Sequence, residues 1–383
     1  MARGPLSPMA RAASAGLAFF LCLGLACGTR PHPEGGERPD SPPARVEVTD
    51  GWLAMGTFFE VDLRVASRDA ELARDWLVRT RSEIARLEAI YSRHDPASEL
   101  SALNAALATQ PGGRRPVEGS AEANGRHGIA VGPELAGLLG RALSLARATG
   151  GAFDVSVGPL IVFWREAADH DRWPSREALE RRVKGVGSDH LALVEQAGSH
   201  FLQAALPGMH LDLDGLSKGA VLDRLRDSLR RELPEAAALL SFGQSSLWAI
   251  GDPDGRGWRL DVRSRDPERG RLGRVSLRDQ ALSVSSSVGS VRRVAGRPVS
   301  HIIDPRSGLP VEGSVEAIVI AEEALVADAW STALLVLAAD ENGIASGALA
   351  RVEAAGLEAW LVGDSGVSRT TAGWQDVEAR GTP

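Results

Sequence analysis

The chain has 383 residues, 44% of them hydrophobic and 24% charged, with a formal net charge of −7. That is globular composition with ample length for a core, in one large domain or two small ones. The acidic balance argues against non-specific nucleic-acid binding, and no repeat of 20–50 residues is found.

At the N-terminus, Arg3 and Arg11 precede an apolar run from Ala15 to Ala26. The run is too short and too rich in small residues for a comfortable membrane span, and residues 1–27 read as a secretion signal. Cys22 and Cys27, the only cysteines in the chain, both lie here. The mature domain is therefore expected to have neither a disulfide nor a Cys nucleophile. Leu25-Ala26-Cys27-Gly28 looks like a bacterial lipobox of the lipoprotein type, with Cys27 as the lipidation site. The plainer alternative is an ordinary signal peptide with incidental cysteines. Residues 28–44, rich in Pro, Gly and charge, read as a disordered tether. The expected location is the periplasmic side of a membrane in a bacterial cell envelope, with a lipid anchor.

The folded part is expected over 45–375. Residues 46–65 alternate as strand, with Met55-Gly56-Thr57 where a turn enters it. Residues 69–87 have helical spacing. A Gly-rich loop at 109–128 reads as an insertion. Helices follow at 132–149 and 175–182, and 191–213 reads as two strands. Residues 218–232 form a helix opening in a Gly turn. Strands are expected at 238–250, 257–263, 274–284 and 316–320, helices at 326–337 and 341–355, and a last strand at 358–362. Strands and helices mix without a βαβ beat, which predicts one α+β domain.

Several segments carry polar residues in patterns that have both a structural and a chemical reading. After Tyr91-Ser92-Arg93-His94-Asp95, Ser98 caps a helix that begins Glu99-Leu100-Ser101. Gly150-Gly151-Ala152-Phe153-Asp154 is a helix C-cap or a place where backbone comes close to a ligand. In Asp212-Leu213-Asp214-Gly215-Leu216-Ser217-Lys218, a strand meets a helix start. Lys218 is poorly placed there for the helix dipole unless it faces an anion; a solvated Lys is the bland alternative. His301 stands three residues before Asp304-Pro305 in a strand that Pro and Gly then break; a hydrogen-bonded strand histidine and an ordinary turn would suffice. Asp328 and Thr332 are spaced i, i+4 on one face of an apolar helix. A buried carboxylate needs a partner, either a salt bridge or a metal. A carboxylate and a hydroxyl near an imidazole suit Mg²⁺ and a phosphate-bearing substrate.

Taken in order, these segments resemble the ApbE-like family of FAD:protein FMN transferases over roughly residues 50–340. The resemblance implies a flavin-transferase domain of mixed α/β type, with mostly antiparallel strands and flanking helices. It implies Mg²⁺-dependent cleavage of FAD as substrate, transfer of FMN to a threonine hydroxyl of an acceptor protein, and release of AMP. By motif, FAD contacts fall on Met55, His94, Ala152, Phe153, Asp154, Asp212, Lys218 and Ile303. Metal ligands fall on the Gly215 carbonyl, Asp328 and Thr332, with Ser331 adjacent, and His301 is the base. The chain departs from the family pattern at His94, where an aromatic is common, at Asp214, where a small residue is common, and at Gly243-Gln244-Ser245, where Gly-Gly-Asp/Asn is usual. An FAD pyrophosphatase releasing FMN and AMP, and a non-catalytic flavin-binding lipoprotein, are the competing readings.

Overall fold

The computed structural model describes residues 45–110, 128–243, 245–266, 269–288, 291–313, 315–338, 346–363 and 367–374. The secretion signal, Cys27, the tether 28–44, most of the 109–128 loop, Gln244 and residues 341–345 lie outside the described residues. In chain order the elements are Arg45–Ala54 (β1), Thr57–Ala66 (β2), Ala70–Tyr91 (α1), Glu99–Thr109 (α2), Ile129–Val131 (β3), Pro133–Ala148 (α3), Gly158–Asp169 (α4) and Arg176–Val183 (α5). Then come Leu191–Gln196 (β4), Ser199–Ala204 (β5), Ser217–Glu232 (α6), Ala237–Phe242 (β6), Ser246–Ile250 (β7), Trp258–Arg263 (β8), Arg271–Leu277 (β9) and Gln280–Ser286 (β10). Val291–Val294 (β11), Arg297–Ser300 (β12), Glu316–Ala321 (β13), Ala324–Ala338 (α7), Ser346–Ala354 (α8), Glu358–Val362 (β14) and Ser368–Thr370 (β15) complete the fold.

The centre is an eight-stranded sheet in the order β1-β2-β6-β7-β10-β13-β14-β15, with every adjacent pair antiparallel. This is the expected α+β class. The alternation in β2 sets Phe59, Val61, Leu63 and Val65 inward, toward the helices. On that face α7 lies across β10 and β13, with α6 beside it. Most of α7 is buried, which suits a helix that is apolar nearly all round. The opposite face at the sheet's centre is covered by the β8–β9 hairpin, where Trp258, Val262, Val275 and Leu277 pack on Leu282, Ile318 and Trp360.

Two of the expected strands are hairpins, and a third is two strands of different sheets. Residues 46–65 reverse at Met55-Gly56, both in the left-handed region at φ 49° and 71°, the geometry of a two-residue hairpin turn. Residues 238–250 reverse at Gly243, whereas 274–284 is broken beside Asp279, at φ 53°, into β9, which pairs with β8, and β10, which pairs with β7 and β13. Of 191–213, only the part to Ala204 forms strands; 209–213 is irregular chain outside any strand. Helix α4 is absent from the sequence-based assignment. Residues 155–157, for which the sequence predicts no element, form a 3₁₀ turn leading into this helix, which has Pro159 in its first turn. His301 follows the end of β12 rather than lying within a strand.

Candidate active site

A cleft of about 480 Å³ opens where the 211–215 segment, the start of α6, the middle of α7, β10, the 152–154 turn and the 301–305 segment meet. Its floor is held by a buried amide. Asn104 on α2 donates from Nδ2 to the Leu211 carbonyl at 2.9 Å and accepts at Oδ1 from the Leu211 N–H at 2.7 Å. One side chain thus does for Leu211 what a strand partner would do, and it fixes the direction of the chain leading to Asp212.

Asp212 is 7% exposed. Its Oδ1 accepts from the Asp214 N–H at 2.8 Å and its Oδ2 lies 2.8 Å from Arg93 Nε. The same Nε donates to Asp214 Oδ2 at 2.8 Å. Burial, and then the neighbouring charge of Asp214, push the Asp212 carboxyl up to about 6, against the pull of Arg93. His94 also bonds Asp214 Oδ2, at 3.2 Å. Lys218, in the first turn of α6, donates to the Asp214 carbonyl at 3.3 Å.

Asp328 sits at the junction of α6 and α7 and is 4% exposed. Its Oδ2 accepts from the Gly219 N–H at 2.8 Å, while Oδ1 is buried with no hydrogen-bond partner. Burial pushes this carboxyl above the usual carboxylate range. The Lys218 charge and the nearby Ser283 and Ser246 hydroxyls pull the other way, but none completes a bond to Oδ1. The two helices are locked together by Asp223, whose carboxylate accepts from the Ala324 and Leu325 N–H groups and from Trp248 Nε1. It caps α7 from outside its own chain segment.

A cluster of hydroxyls surrounds this point. Ser331 Oγ lies 3.1 Å from Ser283 Oγ and 2.8 Å from Ser285 Oγ, and Ser285 Oγ is 3.3 Å from Thr332 Oγ1. Gly215 lies close on the other side, since a Cβ built on it would stand 3.7 Å from Thr332 Oγ1 and 3.2 Å from the Phe153 ring. The Gly215 main chain, Asp328 and Thr332 therefore face one small space. An orphaned buried carboxylate oxygen beside a hydroxyl and a side-chain-free turn is a hard-oxygen donor set, and it fits Mg²⁺ completed by phosphate oxygens. Among the described residues there is no group of three or more His, Cys, Asp or Glu that would hold a metal by itself.

Of the residues singled out from sequence, Ala152, Phe153, Asp154, Asp212, Gly215, Lys218, His301, Ile303, Asp328 and Thr332 line the cleft. Asp154 is largely spent on the fold. Its Oδ1 accepts from the Ser156 N–H and hydroxyl and its Oδ2 from the Ser188 N–H. Three others stand apart from the wall: Ser331 is fully buried beneath it, His94 turns onto Asp214, and Met55 occupies the β1–β2 turn. Sequence reasoning passed over Arg93, Arg265, Ser246, Ser283 and Ser285, which also line the cleft. For Ser283 and Ser285 the signal was available, because their spacing of two sets both hydroxyls on one face of a strand.

Residues 55–359 match the ApbE family. The chain is 31% identical over 211 residues to the FAD:protein FMN transferase of Salmonella typhimurium, which covers 54% of this chain and 60% of that protein. It is 26% identical over 334 residues to one from Klebsiella pneumoniae, covering 84% of this chain and 89% of that protein. Among solved structures, the ApbE protein of Thermotoga maritima superposes with a TM-score of 0.71 at 23% identity, over 86% of this chain and 97% of the other. The flavinyl transferase ApbE of Pseudomonas stutzeri superposes with a TM-score of 0.67 at 23% identity, over 86% and 95%. With the family match spanning most of the chain and the same architecture in the solved structures, this chain belongs to the ApbE family.

Proposed function

We propose that the chain is an FAD:protein FMN transferase, which moves FMN from FAD to a threonine hydroxyl of an acceptor protein and releases AMP. The observation that carries this reading is the convergence of Lys218, Asp328, Thr332 and His301, from three separate segments, on one cleft. The names of the relatives point the same way. Phosphoryl transfer asks mainly for positioning and charge neutralisation, which a cation, a hard-oxygen site and a base supply.

In this reading the acceptor hydroxyl attacks the FMN phosphorus. A new P–O bond forms, the bond to the AMP phosphate breaks, and AMP departs with the electron pair. His301, on the cleft wall, takes the hydroxyl proton. Lys218 neutralises phosphate charge. The Gly215 carbonyl, Asp328 and Thr332 would hold Mg²⁺, which when bound neutralises charge on the phosphate oxygens. Phe153 and Ile303 supply apolar wall for the flavin. The reading extends to an anchor: Cys27 carries lipid and holds the enzyme on the periplasmic side of a membrane, where the acceptor is met.

Incubating the purified chain with FAD, Mg²⁺ and a candidate acceptor protein, followed by mass spectrometry, tests the activity. An acceptor heavier by one FMN phosphoester supports the reading. Free FMN and AMP with an unmodified acceptor would mean a pyrophosphatase, and unchanged bound FAD a flavin carrier. Mg²⁺ titration of the wild type against Asp328→Asn tests the metal ligands, with equal affinity sinking that assignment. Cys27→Ser should release the protein from the membrane fraction; an unchanged distribution would refute the anchor.

A further inference from the structure

Resting on the transferase reading above, we propose that Arg93 contacts the substrate and, with Lys218, clamps its phosphate groups. The first ground is how the side chain is held. Arg93 lines the cleft with its side chain 21% exposed, and its Nε is fixed between Asp212 Oδ2 and Asp214 Oδ2 at 2.8 Å each. Neither of its terminal amino groups makes a hydrogen bond among the described residues. Neither is among the buried polar atoms left without a partner, so they are accessible from the cleft and not sealed off in the fold. Here one edge of the fork is braced by two carboxylates, and the other edge is left for something that enters the cleft. That edge offers the parallel pair of N–H groups that a phosphate accepts in bidentate fashion.

The second ground is the position of Lys218. Its ammonium bonds the Asp214 carbonyl while Arg93 bonds the Asp214 carboxylate, so two cations flank a single residue inside one cleft. A compact ammonium beside a planar fork suits an anion with several oxygens better than the neutral face of a ring system. The third ground is the arrangement of the adjacent residue. His94, which the family pattern offers as the flavin contact, is directed onto Asp214 and is two-thirds exposed at its side chain. Arg93 rather than His94 is the member of this pair that reaches the cleft wall.

The test is binding, measured calorimetrically without acceptor, of FAD, ADP and riboflavin to wild type, Arg93→Gln and Arg93→Lys, with and without Mg²⁺. The expected result is that Arg93→Gln weakens FAD and ADP by roughly ten- to a hundredfold, the scale of charge-assisted hydrogen bonds, while riboflavin changes by less than about threefold. Arg93→Lys, which keeps the charge but loses the fork, should recover part of the loss. If Arg93→Gln does not fold, Arg93→Lys carries the same comparison: ADP weakened several-fold, riboflavin held. Equal losses for FAD and riboflavin would overturn the proposal in favour of a ring contact or a mere brace for Asp212 and Asp214. Unchanged FAD and ADP affinity would also overturn it. A wild type that binds no FAD would instead defeat the transferase reading itself, and the two failures are distinguishable.

Discussion

The Gly219 N–H donates to Asp328 Oδ2 at 2.8 Å, tying the first turn of α6 to the one acid on the buried helix α7. The contact requires that the two backbones nearly touch. A Cβ on Gly219 would stand 2.4 Å from the Ala324 carbonyl oxygen, 2.5 Å from its carbon and 2.6 Å from the Leu325 nitrogen. All three obstacles are main chain, and all lie at the end of α7 that Asp223 caps.

Gly219→Ala is therefore expected to part the two helices. Overpacking against backbone costs about 1–3 kcal/mol or more, and the shift moves the N–H that orients Asp328. Thermal unfolding should show a lowered Tm, and Mg²⁺ titration a weakened affinity. A variant with wild-type Tm and metal affinity would show that this contact positions nothing.

The Asn104 brace yields a separate expectation. Asn104→Ala leaves the Leu211 N–H and carbonyl without partners in the buried floor of the cleft. Unsatisfied buried groups of this kind cost about 1–3 kcal/mol each. Because Leu211 leads into Asp212, the loss should also raise KM for FAD. Denaturant unfolding together with steady-state kinetics checks both; a stability loss with KM unmoved would confine Asn104 to the fold.

Much of this arrangement was legible in the sequence, and the gaps have physical causes. Helix α7 and its i, i+4 pair Asp328 and Thr332 follow from local periodicity. The α2 cap follows from Ser98, whose hydroxyl accepts from the Ser101 N–H. Turns were harder. Met55 at φ 49° is not a residue that advertises a left-handed turn, so the β1–β2 hairpin read as a single strand, and the break at Asp279 that sends β9 and β10 to different sheets was passed over. Arg93 was illegible because its role depends on Asp212 and Asp214, about 120 residues away. The Asp223 cap on α7 is likewise a contact between distant segments.

Asp212 gives the chain a pH signature. Burial and the Asp214 charge raise its carboxyl from 3.8 in the unfolded chain to about 6 in the fold. Between about pH 4 and pH 6 the folded state holds a proton that the unfolded state has released. Stability is thus greatest below this window and is lost as pH rises through it. Asp328 and Asp223, also raised by burial, act in the same direction. Asp212→Asn should flatten part of the fall in Tm between about pH 4 and pH 6. Superimposable pH profiles for variant and wild type would refute the assignment.

His301 gives the most direct test of the chemistry. It follows β12 at the cleft wall, exposed, just ahead of a turn built to hold its shape. In that turn the Gly308 N–H donates to the Asp304 carbonyl at 2.7 Å, Ile303 pairs with Pro310, and Trp164 Nε1 bonds the Gly308 carbonyl at 2.7 Å. The imidazole is thus presented from an anchored base, while the buried Ile303 behind it packs against Leu160 and Trp164. A positioned base contributes roughly 10²–10⁴-fold in rate. His301→Ala should therefore lower kcat at saturating FAD by about that factor and leave FAD affinity within a few-fold, since the imidazole acts on the acceptor hydroxyl and not on the flavin. FAD titration and turnover on the same preparation separate the two quantities. If affinity collapses while saturated turnover persists, His301 belongs to the binding surface, and the base must be sought among the other cleft residues, with Asp212 first.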